Sequence, residues 1–400
     1  MRVLLTTDLW RPTVNGVVRS VELLRQELTA QGHDVRVLTL SQSHQSYEED
    51  GVTYLASMDA GRVDPGVRVR LARGAGRWLQ KLADWQPEVV HSQCEFSTFL
   101  PAYHLAQRCG CPLVHTYHTV YEDYVGYLHL GKRVGRTAVV QFTLWAARRC
   151  NAMIAPTEKV RMLLTGYGVQ CPVAVVPTGI DLHAFHPVQD GGADRTELRQ
   201  KLGIPLQETM LLSLGRIAAE KEPGMLLDLL AAQPAAERPW LVFVGDGPAR
   251  AGLEEQTRAL GLSDRVRFAG MVSPEDVPRW YRAADAFVCA SRSETQGLTY
   301  FEAMACGLPL LCRADPCLDG VVTDGRNGWL WRDEAEFSAA LSALRAGGAA
   351  GWAALSQGSV DTAARWSSEQ FVRNVVEVYQ QAMTAVPRNV RPESTGGGWF

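Results

Sequence analysis

The sequence predicts an α/β protein built of two doubly wound units, and three observations carry that prediction. Short apolar runs, bounded by Gly, Pro or polar residues, recur from end to end and alternate with longer stretches of helical periodicity, the signature of parallel sheets with crossover helices. The chain has 400 residues, enough for two to three domains of ~150 each. Periodicity is lost between His183 and Asp194, where Pro187, Gly191 and Gly192 mark an interdomain linker.

In the first half, strands are expected at 2–7, 34–40, 89–92, 112–117, 152–156 and 173–177. In the second half they are expected at 210–214, 240–244, 266–269, 286–290 and 309–313. Helices fill the intervals; residues 16–31, for example, place Val17, Val21, Leu24 and Leu28 on one face and end at Gly32. These elements give a first domain over 1–181, a linker over 182–195 and a second domain over 196–367. A helix at 368–384 is expected to pack back toward the first domain, and 387–400 reads as a polar, Gly-rich flexible tail. Two such sheets are expected to face one another, with the loops at their strand C-terminal ends around a shared cleft.

Composition removes several classes of function. The chain is 46% hydrophobic and 21% charged, as in ordinary globular proteins, with a net charge of -3, so the global basic footprint of a nucleic-acid binder is absent. The charge is unevenly spread: residues 1–190 hold 19 Lys+Arg against 17 Asp+Glu, and 191–400 hold 21 against 26. Segments 62–81 and 129–149 carry eleven of the nineteen cations in the first half, with Asp64 as their one acid. Nine scattered cysteines with no Cys-x-x-Cys pair predict neither a disulfide framework nor a zinc site. The first residues meet Asp8 before a signal-type apolar region forms, and no apolar run approaches ~18 residues, so a cytoplasmic chain, at most lying on a membrane, is expected.

Four constellations carry chemistry. The first is Ser293-Glu294-Thr295-Gln296-Gly297-Leu298-Thr299-Tyr300-Phe301-Glu302, which follows a strand and opens a helix ending at Gly307. Gly297 to Thr299 offer free amides at a helix N-terminus, a site for an anion, with Glu294 and Glu302 on either side to accept hydrogen bonds from a polyol. A nucleotide sugar has that shape. The second is Gly215-Arg216 to Lys221-Glu222 after the strand at 210–214, where Arg216 and Lys221 can neutralise a departing diphosphate. No Asp-x-Asp and no acidic cluster for Mg²⁺ occurs, so neither a metal nor another cofactor is expected. The third is Asn15-Gly16-Val17-Val18, where Gly16 permits close backbone approach to phosphate. The fourth places His118 just past a strand end at the cleft face, able to donate a hydrogen bond to a sugar or an acceptor hydroxyl, while His115 points to the opposite face. Gly245-Asp246-Gly247-Pro248 starts a dinucleotide fingerprint and fails, which counts against a nicotinamide or flavin enzyme.

Taken in order, the Arg216/Lys221 loop, Val244-Gly245-Asp246-Gly247-Pro248, Phe268-Ala269-Gly270, the Glu294/Glu302 block with Gly307-Leu308-Pro309, and Pro177-Thr178-Gly179-Ile180-Asp181 resemble the family-4 retaining glycosyltransferases of the GT-B fold. The resemblance runs from the first strand to about residue 383. It implies a nucleotide-diphosphate sugar used without metal, with Glu302 on the ribose and Gly16, Arg216 and Lys221 facing the phosphates. It further implies that Glu294 and His118 contact the transferred sugar, that Gln296, Gly297, Leu298 and Thr299 supply backbone amides, and that the Met271-Val272 backbone borders the base. The glycine often found after the lysine loop is replaced here by Glu222-Pro223.

A second resemblance, over Leu5-Thr6-Thr7-Asp8, Pro12 to Val17 and His118 to Val125, is to the branch that glycosylates diacylglycerol. It implies transfer of a hexose, glucose from UDP-glucose, to the 3-hydroxyl of 1,2-diacylglycerol. The basic segments fit an anionic membrane surface: Arg62, Arg68, Arg70, Arg73, Arg77 and Lys81 interleave with Val67, Val69, Leu71, Trp78 and Leu79. Lys132, Arg133, Arg136, Arg148 and Arg149 lie beside Leu128, Leu130, Phe142 and Trp145. The expected location is therefore peripheral, on the inner face of the cell membrane. Other acceptors stay open: a phosphatidylinositol-type lipid, a polysaccharide or a soluble sugar. So does a non-catalytic protein that binds a sugar nucleotide or a lipid surface.

Overall fold

A computed structural model describes residues 1–13, 15–59, 68–71, 74–122, 132–188 and 192–385. All eleven expected strands are present, within about two residues of the expected bounds. The chain divides into two compact units, the first comprising residues 1–179 with the C-terminal helix and the second residues 180–367.

The first unit runs β1 (Arg2–Thr6), α1 (Gly16–Ala30), β2 (Asp34–Leu40), β3 (Tyr47–Glu49), β4 (Val52–Leu55), β5 (Ser57–Asp59), β6 (Arg68–Arg70), α2 (Gly76–Asp84), β7 (Val89–Ser92), α3 (Phe99–Cys109), β8 (Leu113–Thr116), α4 (Lys132–Ala147), β9 (Ala152–Ala155), α5 (Glu158–Tyr167) and β10 (Val173–Val175). Its eight-stranded sheet has the order β10-β9-β8-β7-β1-β2-β4-β3, parallel except for the antiparallel edge strand β3. Strand β1 shows why both faces are covered. Leu4 packs with α2 to α5, while its neighbours Val3 and Leu5 pack with α1 on the other face, and all three are fully buried. Asn15 starts α1 by accepting from the Val18 amide at 2.9 Å, which leaves Gly16 as the first, exposed residue of the helix.

The second unit runs α6 (Gly192–Leu202), β11 (Met210–Leu214), α7 (Pro223–Ala232), β12 (Trp240–Val244), α8 (Arg250–Ala259), β13 (Val266–Gly270), α9 (Val277–Ala283), β14 (Ala286–Cys289), α10 (Leu298–Ala305), β15 (Leu310–Arg313), β16 (Gly328–Trp331), α11 (Glu334–Ala346) and α12 (Gly348–Ala363). Its sheet is six-stranded and all parallel, in the order β13-β12-β11-β14-β15-β16. Leu211, Leu241 and Val288 pack against α7 and α11, while Met210, Leu212 and Val242 face α9 and α10. The last helix, α13 (Ser368–Ala385), returns to the first unit, where Val372, Val375 and Tyr379 pack with Val21, Leu24 and Leu28 of α1.

The structure departs from the sequence reading in three places. Strands β3 to β6 and β16 are short and were not expected. The basic run is divided: Arg68–Arg70 forms β6, paired antiparallel to β5, and among its described residues the helical part lies within Gly76–Asp84. The stretch expected to be a linker is anchored: Phe185 is buried in the core of the second unit, Asp181 accepts from the His183 and Ala184 amides, and α6 starts at Gly192. The tail at 387–400 lies outside the described residues, as do Val14, Arg62, Val67, Arg73, Asp123, Tyr124, Val125, Leu128 and Leu130.

Within the first unit, one buried histidine ties α13 to the sheet. The ring of His91 lies between the Tyr379 hydroxyl and Thr116 Oγ1, each at 2.7 Å, and burial holds its pKa well below 6.5. Replacing Tyr379 with Phe strands one ring nitrogen in an apolar setting and is expected to cost about 1–3 kcal/mol, read as a lower urea midpoint. Because the folded ring binds its proton less readily than the unfolded one, the wild type should also lose stability as pH falls from about 6.5 and gain none above it.

Candidate active site

The second unit assembles its polar cluster at the C-terminal ends of β11, β12 and β14. After β11 the chain makes a single 3-10 turn over Ala219–Lys221, with Arg216 just before it. Gly245, after β12, approaches so closely that a Cβ would sit 2.0 Å from the Gly215 carbonyl oxygen, so only glycine fits there. After β14, Ser293 donates from its hydroxyl to the Glu220 carbonyl at 3.0 Å and ties this loop to the 3-10 turn. Lys221 Nζ is thereby brought onto Glu294 Oε1, and Arg216 is paired with Glu220. The Lys221 and Glu294 side chains are 29% and 15% exposed, so the pair is shielded from bulk water but open on one side.

Gly297 stands at the start of α10 with φ +74°, a conformation that favours glycine, and the Tyr300 ring lies where any Cβ would project. The helix it opens is buried along most of its length. Leu298 and Thr299 form its first turn half-buried, and Gln296 before them is buried. Glu302, one turn in, is 6% exposed and accepts from the Tyr281 hydroxyl at 2.8 Å, which orients the carboxylate. Val272 is half-buried after Gly270, beside an exposed Met271. The substitution noted at Glu222 has a local account. The residue sits at φ +48°, where glycine is free of strain, and Arg313 holds its carboxylate at 2.8 Å.

In the first unit, the ends of β1, β7 and β8 converge on a second polar cluster. His118 is half-buried past β8, and its Nε2 lies 2.7 Å from Gln93 Oε1. Burial pushes its pKa down to about 4, so the ring is neutral at pH 7. His115 does point away, into the interior, where its Nε2 lies 3.0 Å from Glu95 Oε1. The other oxygen of Glu95 accepts from the Tyr121 hydroxyl. Asp8 receives the Ser97 and Thr98 amides at 2.7 Å each, at the start of α3, and burial raises its pKa against those bonds. Sequence reasoning missed Gln93 and Glu95 as site residues. The available signal was a Gln-x-Glu directly after an apolar parallel strand, at the end where such sheets place their polar groups.

Several of the cations expected to meet a membrane have partners in the chain. Arg68 donates to the Ser41 carbonyl, the Ser57 hydroxyl and the Ser57 carbonyl at 2.6–3.2 Å and so holds the β5–β6 hairpin. Lys81 pairs with Glu48 at 3.0 Å and Arg136 with Glu122 at 3.0 Å. Arg77 stacks on Trp78, and burial lowers the pKa of the Arg70 guanidinium. Lys132 and Arg133 begin α4. Exposed apolar side chains stand in the same unit: Phe96, Leu100, Val69 and Val134. Among the described residues no helix is long and apolar enough to cross a membrane, and no three His, Cys, Asp or Glu side chains gather as metal ligands.

Both halves of the chain match glycosyltransferase families. Residues 194–345 match the family described as Glycosyl transferases group 1, and residues 14–184 that described as Glycosyltransferase Family 4. An alpha-monoglucosyldiacylglycerol synthase of Streptococcus pneumoniae is 36% identical over 85% of this chain and 77% of its own length. Its namesake from Acholeplasma laidlawii is 30% identical over 86% and 88%. A D-inositol 3-phosphate glycosyltransferase of Geodermatophilus obscurus is 34% identical over 76% and 69%. Among solved structures, sucrose-phosphate synthase from Thermosynechococcus elongatus superimposes with a TM-score of 0.75 over 96% of this chain and 99% of its own, at 22% identity. Anabaena HepE, solved with UDP and glucose, gives 0.73 over 95% and 100%, at 18%.

Proposed function

The chain belongs to the family-4 glycosyltransferases, as a hexosyltransferase of the GT-B fold, and on that premise we propose that it moves glucose from UDP-glucose to the 3-hydroxyl of 1,2-diacylglycerol with retention of configuration. The observation that carries the donor half is the Lys221–Glu294 pair beside the Gly297 start of α10. It sets a cation and a carboxylate beside the backbone amides at a helix start, one for the diphosphate and one for the sugar hydroxyls. The acceptor half is supported by the two relatives named for monoglucosyldiacylglycerol, each matching more than four-fifths of this chain.

In the proposed reaction the bond from the sugar's C1 to the diphosphate oxygen breaks, and its electron pair leaves with UDP. The acceptor oxygen bonds C1 from the same face, and its proton passes to the departing phosphate oxygen. Arg216 and Lys221 neutralise the charge that grows on the diphosphate, so no metal ion is required. Their present partners, Glu220 and Glu294, keep both cations in place for that exchange. Glu302 is suited to hold the ribose, Gly16 and the amides of Gln296 to Thr299 to approach the phosphates, and the Met271-Val272 backbone to border uracil. The first unit would rest on the inner face of the membrane through exposed cations such as Arg77 and Arg148 and through exposed apolar side chains such as Phe96 and Val134, at about 1 kcal/mol per cation near an anionic leaflet.

The test is incubation of the protein with diacylglycerol in anionic vesicles and UDP-glucose, UDP-galactose or GDP-mannose in turn, with and without EDTA, and mass analysis of the products. Monoglucosyldiacylglycerol from UDP-glucose, unaffected by EDTA, is expected. A product from myo-inositol phosphate instead of diacylglycerol would move the chain to the acceptor class named for the third relative. Loss of product with EDTA, restored by Mg²⁺, would overturn the metal-free donor site.

A further inference from the structure

His118 has one ring nitrogen committed inside the protein. Its Nε2 lies 2.7 Å from Oε1 of Gln93, a side chain that is 2% exposed and fixed directly after β7. A carboxamide oxygen only accepts, so the Nε2 that meets it carries the proton. In a neutral imidazole the other nitrogen then bears a lone pair and no hydrogen. Among the described residues no hydrogen bond is made by Nδ1 of His118, and the ring is half-buried rather than enclosed. Gln93 Nε2 is buried and has no hydrogen-bond partner among the described residues.

We propose that Gln93 is a positioning residue that locks His118 in the Nε2–H tautomer, so that the group His118 presents to a substrate hydroxyl is an Nδ1 hydrogen-bond acceptor. This reverses the donor role expected from the strand-end position alone. The ring then orients a hydroxyl of the sugar or acceptor by taking its hydrogen bond, and it withdraws no proton from the reacting oxygen, whose proton leaves with the diphosphate. The surrounding charges fit a neutral ring. Glu95, after β7, favours the imidazolium, while His115 on β8 opposes it and burial outweighs both. His91 on β7 is also held neutral by burial, Asp8 after β1 is turned to the α3 amides, and Tyr121 and Cys94 are kept protonated by burial.

The inference rests on the glycosyltransferase reading for its consequence, and its first readout is independent of that reading. In protein labelled with ¹⁵N-histidine, with the His118 signals assigned by their loss in His118→Gln, the wild type is expected to show the Nε2–H tautomer from pH 5.5 to 8. Gln93→Glu places a carboxylate against Nε2 and should raise the His118 midpoint by about 1–3 pH units. Its glucosyl transfer should then decline as pH falls from 8 to 5.5, tracking that midpoint, where the wild type shows no such decline. Gln93→Met should mix the two tautomers and lower transfer by about tenfold with the wild-type pH profile. An Nδ1–H tautomer in the wild type would overturn the proposal. So would a His118 titration in Gln93→Glu that is unmoved while the variant melts like wild type. A correct tautomer in a protein that transfers no sugar to any tested acceptor would refute the function and leave the tautomer assignment standing.

Discussion

Lys221→Ala and Glu294→Ala are each expected to lower transfer by about 10²–10³, and the double variant to lower it by little more than either alone. The reason lies in their direct pairing. Lys221 is held against Glu294 by the bond from Ser293 to the Glu220 carbonyl, which fixes the distance between the 3-10 turn and the loop after β14. Removing either partner frees the other to move, so the second mutation removes a group already displaced. An isosteric contrast separates their roles. Glu294→Gln retains hydrogen bonding toward sugar hydroxyls but releases Lys221, so it should raise the donor KM more than it lowers kcat. Lys221→Ala withdraws the counter-charge that matters most as the diphosphate leaves, so its main loss should be in kcat. Both side chains are part-exposed, and melting temperatures should stay within a few degrees of wild type. Independent, multiplicative losses in the double variant would show that the pair does not act as a unit, and wild-type turnover in either single variant would remove that residue from the mechanism.

The sheets were legible in the sequence because buried parallel strands are continuous apolar runs, and Met210–Leu214 or Trp240–Val244 cannot be read otherwise between Gly and Pro punctuation. Strand Tyr47–Glu49 was not legible because it is an edge strand of three residues whose polar side chains carry no alternating signal. Strand Arg68–Arg70 misled for a different reason. Its cations suggested an amphipathic face for an anionic membrane surface, yet Arg68 spends its guanidinium on the Ser41 and Ser57 carbonyls, a long-range choice that no local pattern encodes. The donor cluster was legible because its residues lie in two short segments with fixed positions after strands. The cluster around His118 was only half legible. Its partners Gln93 and Glu95 stand more than twenty residues away in sequence, and the parallel pairing of β7 with β8 brings them alongside. The same pairing explains why His115 and His118 were separable from sequence by strand period while their partners were not.

Glu95→Ala is expected to cost about 3–5 kcal/mol of stability. The carboxylate is 3% exposed and accepts from two side chains at once, His115 Nε2 and the Tyr121 hydroxyl. His115 is fully buried, and its Nδ1 has no partner among the described residues, so losing the carboxylate leaves the whole imidazole unsatisfied in the core beneath α3. Tyr121→Phe removes only one of the two bonds and should cost about 1 kcal/mol. Glu95→Gln keeps an acceptor for one donor and should fall between them. The same series separates stability from chemistry. Glu95 favours the charged form of His118, so its removal leaves that ring more firmly neutral and should not alter the pH profile of transfer. Glu95→Ala should therefore melt well below wild type yet show, in the fraction that remains folded, an unshifted pH dependence. A melting temperature equal to that of the wild type would mean that His115 and Tyr121 find other acceptors once the carboxylate is gone. A shifted pH profile in a stable Glu95→Ala protein would mean that the carboxylate, rather than burial, sets the protonation of His118.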